Sequence, residues 1–309
     1  MNMIFMGTPS FAVPSLRKLN EHYGISAVFT QPDRPKGRGN KISMSSVKEE
    51  ALKNNIPVYQ PFKIKNDRES IDIIKKINPD FIIVAAFGQI LPKEILDIPH
   101  FGCINLHASL LPKYRGAAPI NWAVINGEKT SGNTTMFMAK GIDTGDILLQ
   151  DEIDIKGMTA GELHDILSQR GGDLLISTIE GIKNNSVMRI KQDDAEISYA
   201  PMITKETGKI NWKDKSCAQI KNLVLGLNPY PSAHTLYKGK MMKVHVCEVL
   251  YENTGKTPGC IIDADKDGIK VCAKDGVILL KTIQFPGGKP LSTEEYLRGH
   301  KIESGIVLE

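Results

Sequence analysis

The sequence predicts an α/β protein: a Rossmann-like, doubly wound and mostly parallel sheet, followed by a small C-terminal β-barrel that is OB-like. Three observations predict this architecture. Residues 2–6 form an apolar strand that runs through a glycine turn into a helix. Residues 80–87 are continuously apolar, as expected of a central parallel strand covered on both faces. Beyond Lys209, short apolar runs alternate with Gly, Asp and Pro turns, which is typical of a small antiparallel barrel.

In the first part of the chain, strands and helices alternate as a doubly wound sheet requires. We predict strands at residues 2–6, 25–30, 57–60, 80–87, 102–108, 134–138 and 147–155. We predict helices from Pro14 onward and at residues 45–54, 67–77, 117–126 and 159–183, the last broken at Gly171-Gly172. The first turn lacks Gly-x-Gly-x-x-Gly, so no nicotinamide site is predicted there.

The second part carries the predicted barrel strands at residues 236–237, 243–249, 259–262, 269–272, 277–280 and 282–285. The predicted domain limits are 1–190 for the α/β domain, 191–208 for a linker of low apolar density and 209–309 for the barrel. From Lys205 onward, 16 Lys and Arg face 12 Asp and Glu. This mild basic bias is consistent with a nucleic-acid platform without indicating one by itself.

Composition bounds the function classes. The 309 residues are 41% hydrophobic and 24% charged, with a net charge of +4, as in a soluble globular protein that could take an anionic partner. The five cysteines form no Cys-x-x-Cys pair, so neither a zinc site nor a disulfide framework is predicted. No run approaches the roughly 20 apolar residues of a membrane span, and the N-terminus lacks signal-peptide features. We therefore expect a cytoplasmic protein, and a monomer because no helix face requires a partner.

Residues 31–41, called the basic segment here, combine two prolines, two glycines and four cations in eleven positions. This composition predicts a mobile loop that forms no packed element. Two interpretations stay open from the composition. The segment is either a solvated surface loop or an arm that contacts phosphate.

Three polar residues stand out around a proline-containing loop at residues 109–116. Asn105 and His107 are two positions apart on a predicted strand. Because strand side chains alternate between the two faces, both point the same way. Asp143 lies in a glycine-flanked turn. Each has a structural explanation when taken alone, but their co-occurrence favours a site. The chain has no Gly-x-Ser-x-Gly elbow and no P-loop, and His107 has no suitably spaced metal-ligand partner. The remaining chemistry is direct attack of an external nucleophile on a carbonyl, which needs an oxyanion donor, a proton shuttle and an orienting carboxylate.

These residues and their neighbours resemble the signature of a known protein family. Asn105-x-His107, Ser109-Leu110-Leu111-Pro112 with Arg115-Gly116, and Asp143-Thr144-Gly145-Asp146 resemble the signature of the 10-formyltetrahydrofolate-dependent formyltransferases. Further motifs at residues 7–12, 31–39, 199–201 and 228–231 extend the resemblance over nearly the whole chain. Phe87 and Tyr114 stand where the family more often has Tyr and Trp, which affects only the fine geometry of the pocket.

The resemblance implies a reaction and its participants. The α-amine of methionine esterified to initiator tRNA attacks the formyl carbon of 10-formyltetrahydrofolate, without a metal or a covalent enzyme intermediate. Asn105 and His107 serve the formyl oxyanion and proton transfer to the leaving folate nitrogen. Asp143 holds His107 and accepts a proton.

The resemblance also implies binding residues. Those for folate are Phe87, Gly88, Gln89, Ile90, Leu91, Ser109, Leu110, Leu111 and Pro112. Those for tRNA are Arg34, Lys36, Arg38 and Lys41, together with the C-terminal barrel. Three alternatives stay open: a formyltransferase acting on a nucleotide-linked amino sugar, for which the basic segment would be dispensable; a hydrolase of formyl-folate; and a tRNA-binding protein with a vestigial site, which the intact Asn105, His107 and Asp143 disfavour.

Overall fold

The computed structural model describes residues 1–36, 41–252 and 255–309. Their strands are β1 (Met3–Gly7), β2 (Ala27–Phe29), β3 (Arg34–Lys36), β4 (Lys41–Ser43), β5 (Val58–Tyr59), β6 (Phe81–Ala85), β7 (Cys103–His107), β8 (Arg115–Gly116), β9 (Thr130–Phe137), β10 (Ile147–Asp154), β11 (Tyr199–Ala200), β12 (Ala233–Tyr237), β13 (Lys240–Leu250), β14 (Ile261–Asp265), β15 (Gly268–Ala273), β16 (Gly276–Gln284) and β17 (Leu291–Ser292). The α-helices are α1 (Val13–Tyr23), α2 (Ser46–Lys53), α3 (Arg68–Ile77), α4 (Lys93–Leu96), α5 (Pro119–Ile125), α6 (Ala160–Lys183), α7 (Cys217–Gly226) and α8 (Thr293–Leu297).

The chain divides into two compact units. The first compact unit comprises residues 1–116, 131–153 and 164–200, and the second comprises residues 117–130, 154–163 and 201–309. The sequence predicts other limits: 1–190, 191–208 and 209–309. These limits stay a prediction. No helix in the described part of the chain is both long enough and apolar enough to cross a membrane.

The main sheet of the first compact unit has the strand order β10-β9-β7-β6-β1-β2-β5 within the described residues. Strands β5, β2, β1, β6 and β7 run parallel, and β9 joins β7 antiparallel. All five residues of β6 are buried, as the continuous apolar run at residues 80–87 predicts. The predicted doubly wound, mostly parallel sheet is thereby confirmed. The loops that follow β6 and β7 consequently leave the sheet at the same edge, where open α/β sheets bind ligands.

Helix α6 corrects one sequence prediction. The break predicted at Gly171-Gly172 is wrong, because α6 runs without interruption from Ala160 to Lys183. A Cβ built on Gly171 would lie 2.5 Å from Leu106 Cδ2, and one on Gly172 would lie 2.8 Å from Lys18 Cδ. The two glycines therefore let the helix approach β7 and α1 closely, at a cost of about 1 kcal/mol each in helix propensity relative to alanine. Strand β7 carries Asn105 and His107, so this packing supports the predicted site.

The basic segment corrects another prediction. The expectation that residues 31–41 contain no packed element is wrong for residues 34–36 and 41, because β3 and β4 pair antiparallel with Arg34 opposite Ser43 and Lys36 opposite Lys41. Backbone pairing of this kind needs no apolar core, and an argument from side-chain composition misses it. Residues 37–40, and with them Arg38, lie outside the described residues.

The second compact unit contains the predicted β-domain, with the strand order β12-β13-β16-β15-β14 and β17 paired to β16 in its described residues. The two strands predicted at residues 277–280 and 282–285 are one strand, β16, whose pairing with β13 shifts register near Val246. Residues 307–309 connect the two ends of this sheet. Val307 bridges Cys260, and Glu309 exchanges backbone hydrogen bonds of 2.8 and 3.2 Å with Leu236. These bonds close the sheet into a barrel, whose apolar interior is covered by α7.

Candidate active site

Strand β7 presents Asn105 and His107 on one face because strand side chains alternate. Its other face carries Ile104 and Leu106, which are 0% and 2% exposed. His107 is 6% exposed, whereas Asn105 is only partly buried. Within the described residues, the Asn105 side-chain amide forms no hydrogen bond with protein. Its N–H donors are therefore available to a ligand at the end of the strand.

The His107 ring is held in one orientation by the loop that follows β7. Its Nε2 lies 2.9 Å from the backbone carbonyl oxygen of Tyr114, in a buried contact. A carbonyl oxygen only accepts, so Nε2 carries the proton of this bond. The other ring nitrogen, Nδ1, faces Asp143 Oδ2 at 3.6 Å, a distance that suits an ion-pair contact better than a hydrogen bond. Of the two ring nitrogens, Nδ1 is therefore the one that faces the carboxylate.

Asp143 and Tyr114 both hold left-handed backbone conformations, with φ of +53° and +61°. Such a conformation costs a residue with a side chain on the order of 1 kcal/mol and persists where neighbouring contacts hold it. Asp143 Oδ2 accepts the Gly116 N–H at 2.9 Å, and the Tyr114 N–H donates to Ser198 Oγ at 2.9 Å. Tyr114 contacts the His107 ring through its carbonyl oxygen and Asp143 through its carboxylate, so two left-handed residues take part in orienting the ring.

Side-chain hydrogen bonds shape the two loops that the sequence predicts to bind folate. Gln89 Oε1 accepts the Ile64 N–H at 2.7 Å and Gln89 Nε2 donates to Pro61 O at 2.9 Å, which tethers the loop after β6 to the loop after β5. Ser109 Oγ donates to Lys113 O at 2.7 Å within the loop after β7. These two side chains are thus engaged in fixing the loops.

The other predicted folate residues divide by burial. Phe87, Leu91 and Leu111 are 1%, 5% and 3% exposed, and Phe87 and Leu91 pack into the core with Ile4 and Met6. The more accessible positions are Gly88, Ile90, Leu110 and Pro112, of which Ile90 is 74% exposed. Contact with a ligand at this edge would therefore come from accessible side chains and from loop backbone.

The base of the basic segment is anchored to α2 and β5. Lys48 Nζ donates to Asp33 Oδ2 at 2.6 Å and Gln60 Nε2 donates to Asp33 Oδ1 at 2.8 Å. The bond from Lys48, more than that from Gln60, holds the pKa of Asp33 below its usual value. Arg34 is exposed and its Nη2 donates to Gln31 Oε1 at 3.1 Å, while Gln31 Nε2 donates to Phe87 O at 3.2 Å. One glutamine thus links Arg34 to the loop after β6.

Of the other predicted tRNA residues, Lys36 and Lys41 are described only through the pairing of β3 with β4, and Arg38 lies outside the described residues.

Sequence reasoning missed three polar groups that contact this site. Gln192 and Ser198 lie in residues 191–208, which we predicted to be a linker because few apolar residues occur there. Arg115 belongs to a recognised motif but was assigned no role. Gln192 and Arg115 are 6% and 5% exposed. The spacing of residues along the sequence gives no signal that Gln192, Ser198 or Arg115 contacts the site.

The second compact unit carries what we call the basic row, formed by Lys209, His234 and Lys243. Lys209 bridges His234 on one side and Lys243 pairs with it on the other, so the three side chains leave the sheet on one face. Burial first, and then the two lysines, lower the pKa of His234. The His234 imidazole thus lies between two cations on neighbouring segments, and a bound anion would favour its charged form.

In the described residues, no group of three or more His, Cys, Asp or Glu side chains is arranged to hold a metal ion.

Two family models match this chain. Residues 1–179 match "Formyl transferase" and residues 202–301 match "Formyl transferase, C-terminal domain". A protein of Clostridium tetani named methionyl-tRNA formyltransferase is 61% identical over 310 residues, which covers 100% of both chains. A protein of Clostridium beijerinckii with the same name is 58% identical with the same coverage.

Solved structures with the same fold are more distant in sequence. WlaRD, a sugar 3N-formyl transferase crystallised in the presence of dTDP and 5-N-formyl-THF, is 22% identical with a TM-score of 0.68, covering 94% of this chain and 99% of that one. HypX from Aquifex aeolicus in complex with tetrahydrofolic acid is 15% identical with a TM-score of 0.60, covering 98% of this chain and 50% of that one. At these identities the likeness concerns the fold.

Proposed function

This chain belongs to the formyl transferase family, and we propose that it transfers the formyl group of 10-formyltetrahydrofolate to the α-amino group of methionine on initiator tRNA. The observation that carries the proposal is the 61% identity, over the full length of both chains, with a relative named methionyl-tRNA formyltransferase. The product would be N-formylmethionyl-tRNA for translation initiation. With these substrates, we propose that it works in the cytoplasm and acts there as a monomer.

The geometry of the first compact unit suits this chemistry. A free α-amine has a pKa of roughly 7.7–8.0, and the neighbouring ester lowers this pKa, so a substantial fraction of the substrate amine is neutral near pH 7 and ready to attack. Positioning and oxyanion stabilisation then dominate the barrier. In the proposed mechanism, the N–H donors of Asn105 face the oxygen of the formyl group as it becomes negative.

Proton transfer in this mechanism depends on His107 and Asp143. Attack forms a bond between the amine nitrogen and the formyl carbon, and collapse of the intermediate breaks the bond from that carbon to the folate nitrogen. One proton leaves the amine and one arrives at the folate nitrogen, so the net transfer balances. His107 Nε2 donates to the Tyr114 carbonyl. In this mechanism the Asp143 carboxylate, 3.6 Å from His107 Nδ1, takes the proton from the amine, and the pair of Asp143 and His107 returns it to the leaving folate nitrogen.

We propose that the folate co-substrate lies against the loops after β6 and β7, along Phe87 to Leu91 and Ser109 to Pro112. The Gln89 and Ser109 hydrogen bonds hold these loops in shape before the ligand arrives. A preformed site of this kind loses less conformational entropy on binding.

We propose that residues 1–190 act as the catalytic domain and that the barrel at residues 209–309 binds tRNA, with the basic segment as a second contact. The exposed Arg34 and the basic row are the described features that support this assignment, because phosphate contacts supply most of the affinity for nucleic acid. Arg38, Lys36 and Lys41 would extend the contact made by Arg34.

Arg34→Ala should raise KM for tRNA several-fold and leave KM for folate unchanged, because one cation facing the phosphate backbone is lost. The slope of log affinity against log salt should flatten by about 0.9 for one lost phosphate contact. Steady-state kinetics at several salt concentrations measure both effects. Arg68→Ala is the matched control, since Arg68 is exposed and pairs with Glu94 far from the basic segment in sequence. An unchanged kcat/KM for tRNA in Arg34→Ala would remove Arg34 from recognition.

Lys243→Ala should weaken tRNA binding several-fold, because it removes one cation of the basic row, and should flatten the salt dependence of binding by about one unit of slope. Because the pKa of His234 is lowered, its imidazole is neutral at pH 7 and gains charge as the pH falls. Phosphate favours the charged form, so wild-type affinity should increase toward acid pH. Filter binding between pH 5.5 and 8 tests this, with Lys266→Ala in the turn between β14 and β15 as the control. Equal affinities for the two variants would exclude the basic row as a contact.

One assay tests the proposed function against its alternatives. Labelled 10-formyltetrahydrofolate is incubated with charged initiator tRNA, with a nucleotide-linked amino sugar, or with no acceptor, and free formate is counted in each reaction. We expect label on the methionyl-tRNA alone. Label on the sugar, or formate released without an acceptor, would indicate one of the other formyl-folate activities. No turnover in any arm would indicate a binding protein.

A further inference from the structure

We propose that Gln192 is a positioning residue that sets the Asp143 carboxylate against His107, an inference that rests on the proposed function. Its Oε1 accepts from Arg115 Nε at 3.0 Å and from Arg115 Nη2 at 2.7 Å. Its Nε2 donates to the carbonyl oxygens of Asp143 at 2.9 Å and Gly145 at 2.7 Å. A single buried side chain thus joins the turn that carries Asp143 to Arg115.

The orientation of this amide is unambiguous. A guanidinium only donates and backbone carbonyls only accept, so the oxygen of Gln192 must face Arg115 and its nitrogen must face the turn. Two lone pairs and two N–H groups are all engaged. Because Gln192 and Arg115 are 6% and 5% exposed, water cannot readily replace these bonds.

The hydrogen bonds of Gln192 connect the two segments that meet at the Asp143 carboxylate. These are the turn that contains Asp143 and the strand that contains Arg115 and Gly116. Asp143 Oδ2 accepts the N–H of Gly116, and Gly116 directly follows Arg115. The backbone carbonyl of Asp143 is bound by Gln192, which is itself bound by Arg115. Gln192 therefore sets the separation between the two segments that meet at the carboxylate.

Loss of the Gln192 donors would let the left-handed turn at Asp143 relax. Asp143 has φ of +53° and Gln192 binds the carbonyls on both sides of Thr144. The 3.6 Å approach of Oδ2 to His107 Nδ1 depends on this turn. A small displacement of a proton-transferring group slows turnover without changing how substrates bind. A positioning role therefore predicts an effect on kcat, whereas a merely structural role predicts lost stability with normal turnover of the folded enzyme.

The test compares Gln192→Met, Gln192→Glu and Asn133→Leu with the wild type. Gln192→Met keeps the length of the side chain and removes all four hydrogen bonds. At neutral pH, Gln192→Glu keeps an acceptor for Arg115 and lacks donors for the turn. We expect kcat to fall roughly 10–100-fold in both, with KM for folate and for tRNA within about threefold of wild type. Asn133, 0% exposed and donating to Leu167 O at 2.8 Å, is the matched buried amide elsewhere in the first compact unit.

Asn133→Leu should lower the melting temperature and keep kcat. A second readout is the ¹⁵N resonance of His107 in histidine-labelled protein. The Nδ1 signal should shift in both Gln192 variants, the Nε2 signal should stay, and both should stay in Asn133→Leu. Wild-type kcat in folded Gln192→Met, a change confined to KM, or an unmoved Nδ1 signal would overturn the inference. An inactive wild type would instead contradict the proposed function.

Discussion

Asn105→Ala should slow formyl transfer by about 10²–10³-fold, because removal of one preorganised oxyanion donor typically costs that much in kcat. The Asn105 amide is partly exposed and forms no hydrogen bond within the described residues, so alanine removes a donor without leaving a protein group unpaired. The fold should persist and folate should bind as before. Single-turnover measurement with enzyme in excess over charged tRNA reports the chemical step directly.

Asn66→Ala is the control for Asn105→Ala, since Asn66 is an exposed asparagine in the same compact unit, ahead of α3. It should react at the wild-type rate. If Asn105→Ala reacted equally fast, the oxyanion would have to be stabilised by other groups, and the assignment of Asn105 would fall.

Asp143→Asn should lower the single-turnover rate by about 10²–10⁴-fold, the usual contribution of a positioned acid or base. The substitution is nearly isosteric. Its carbonyl oxygen can still accept the Gly116 N–H, which Asp143 Oδ2 accepts at 2.9 Å, so the turn should stay in place. The amide carries no charge opposite His107 Nδ1 and accepts no proton. A slow step with normal folate and tRNA affinity is therefore the expected result.

Asp165→Asn is the matched control for Asp143→Asn. Asp165 also lies beside a histidine, with its Oδ1 2.9 Å from His164 Nδ1, but its side chain is 84% exposed. Removal of this carboxylate should leave transfer unchanged, because a solvated pair contributes little. A wild-type single-turnover rate in Asp143→Asn would exclude proton transfer through the carboxylate.

The predictions that succeeded from the sequence rest on local periodicity. Strand alternation alone places Asn105 and His107 on one face of β7, and the apolar run at residues 80–87 identifies a central strand. The barrel follows from short runs between turns. These features depend on neighbours a few residues apart, so they can be read from the chain itself.

The predictions that failed depended on contacts between distant segments. Gly171 and Gly172 suggested a break in α6, although their role is close approach to Leu106 and Lys18. The basic segment was predicted to form no packed element because of its composition, yet its residues 34–36 pair through backbone with residues 41–43 as β3 and β4. The linker at residues 191–208, predicted from its low apolar density, stays a prediction, and the buried contacts of Gln192 within it likewise could not be read from local spacing.

The sequence by itself determined the fold class and the family, and it supplied the polar residues to which we assign the proposed reaction. Only the tertiary structure decided which nitrogen of His107 faces Asp143, since the Tyr114 carbonyl occupies Nε2. It also decided that Gln192 belongs to this site, through hydrogen bonds that span 77 residues to Arg115 and 49 to Asp143. The physical reason is that these bonds form only once the chain has closed around the site, so no local pattern in the sequence encodes them.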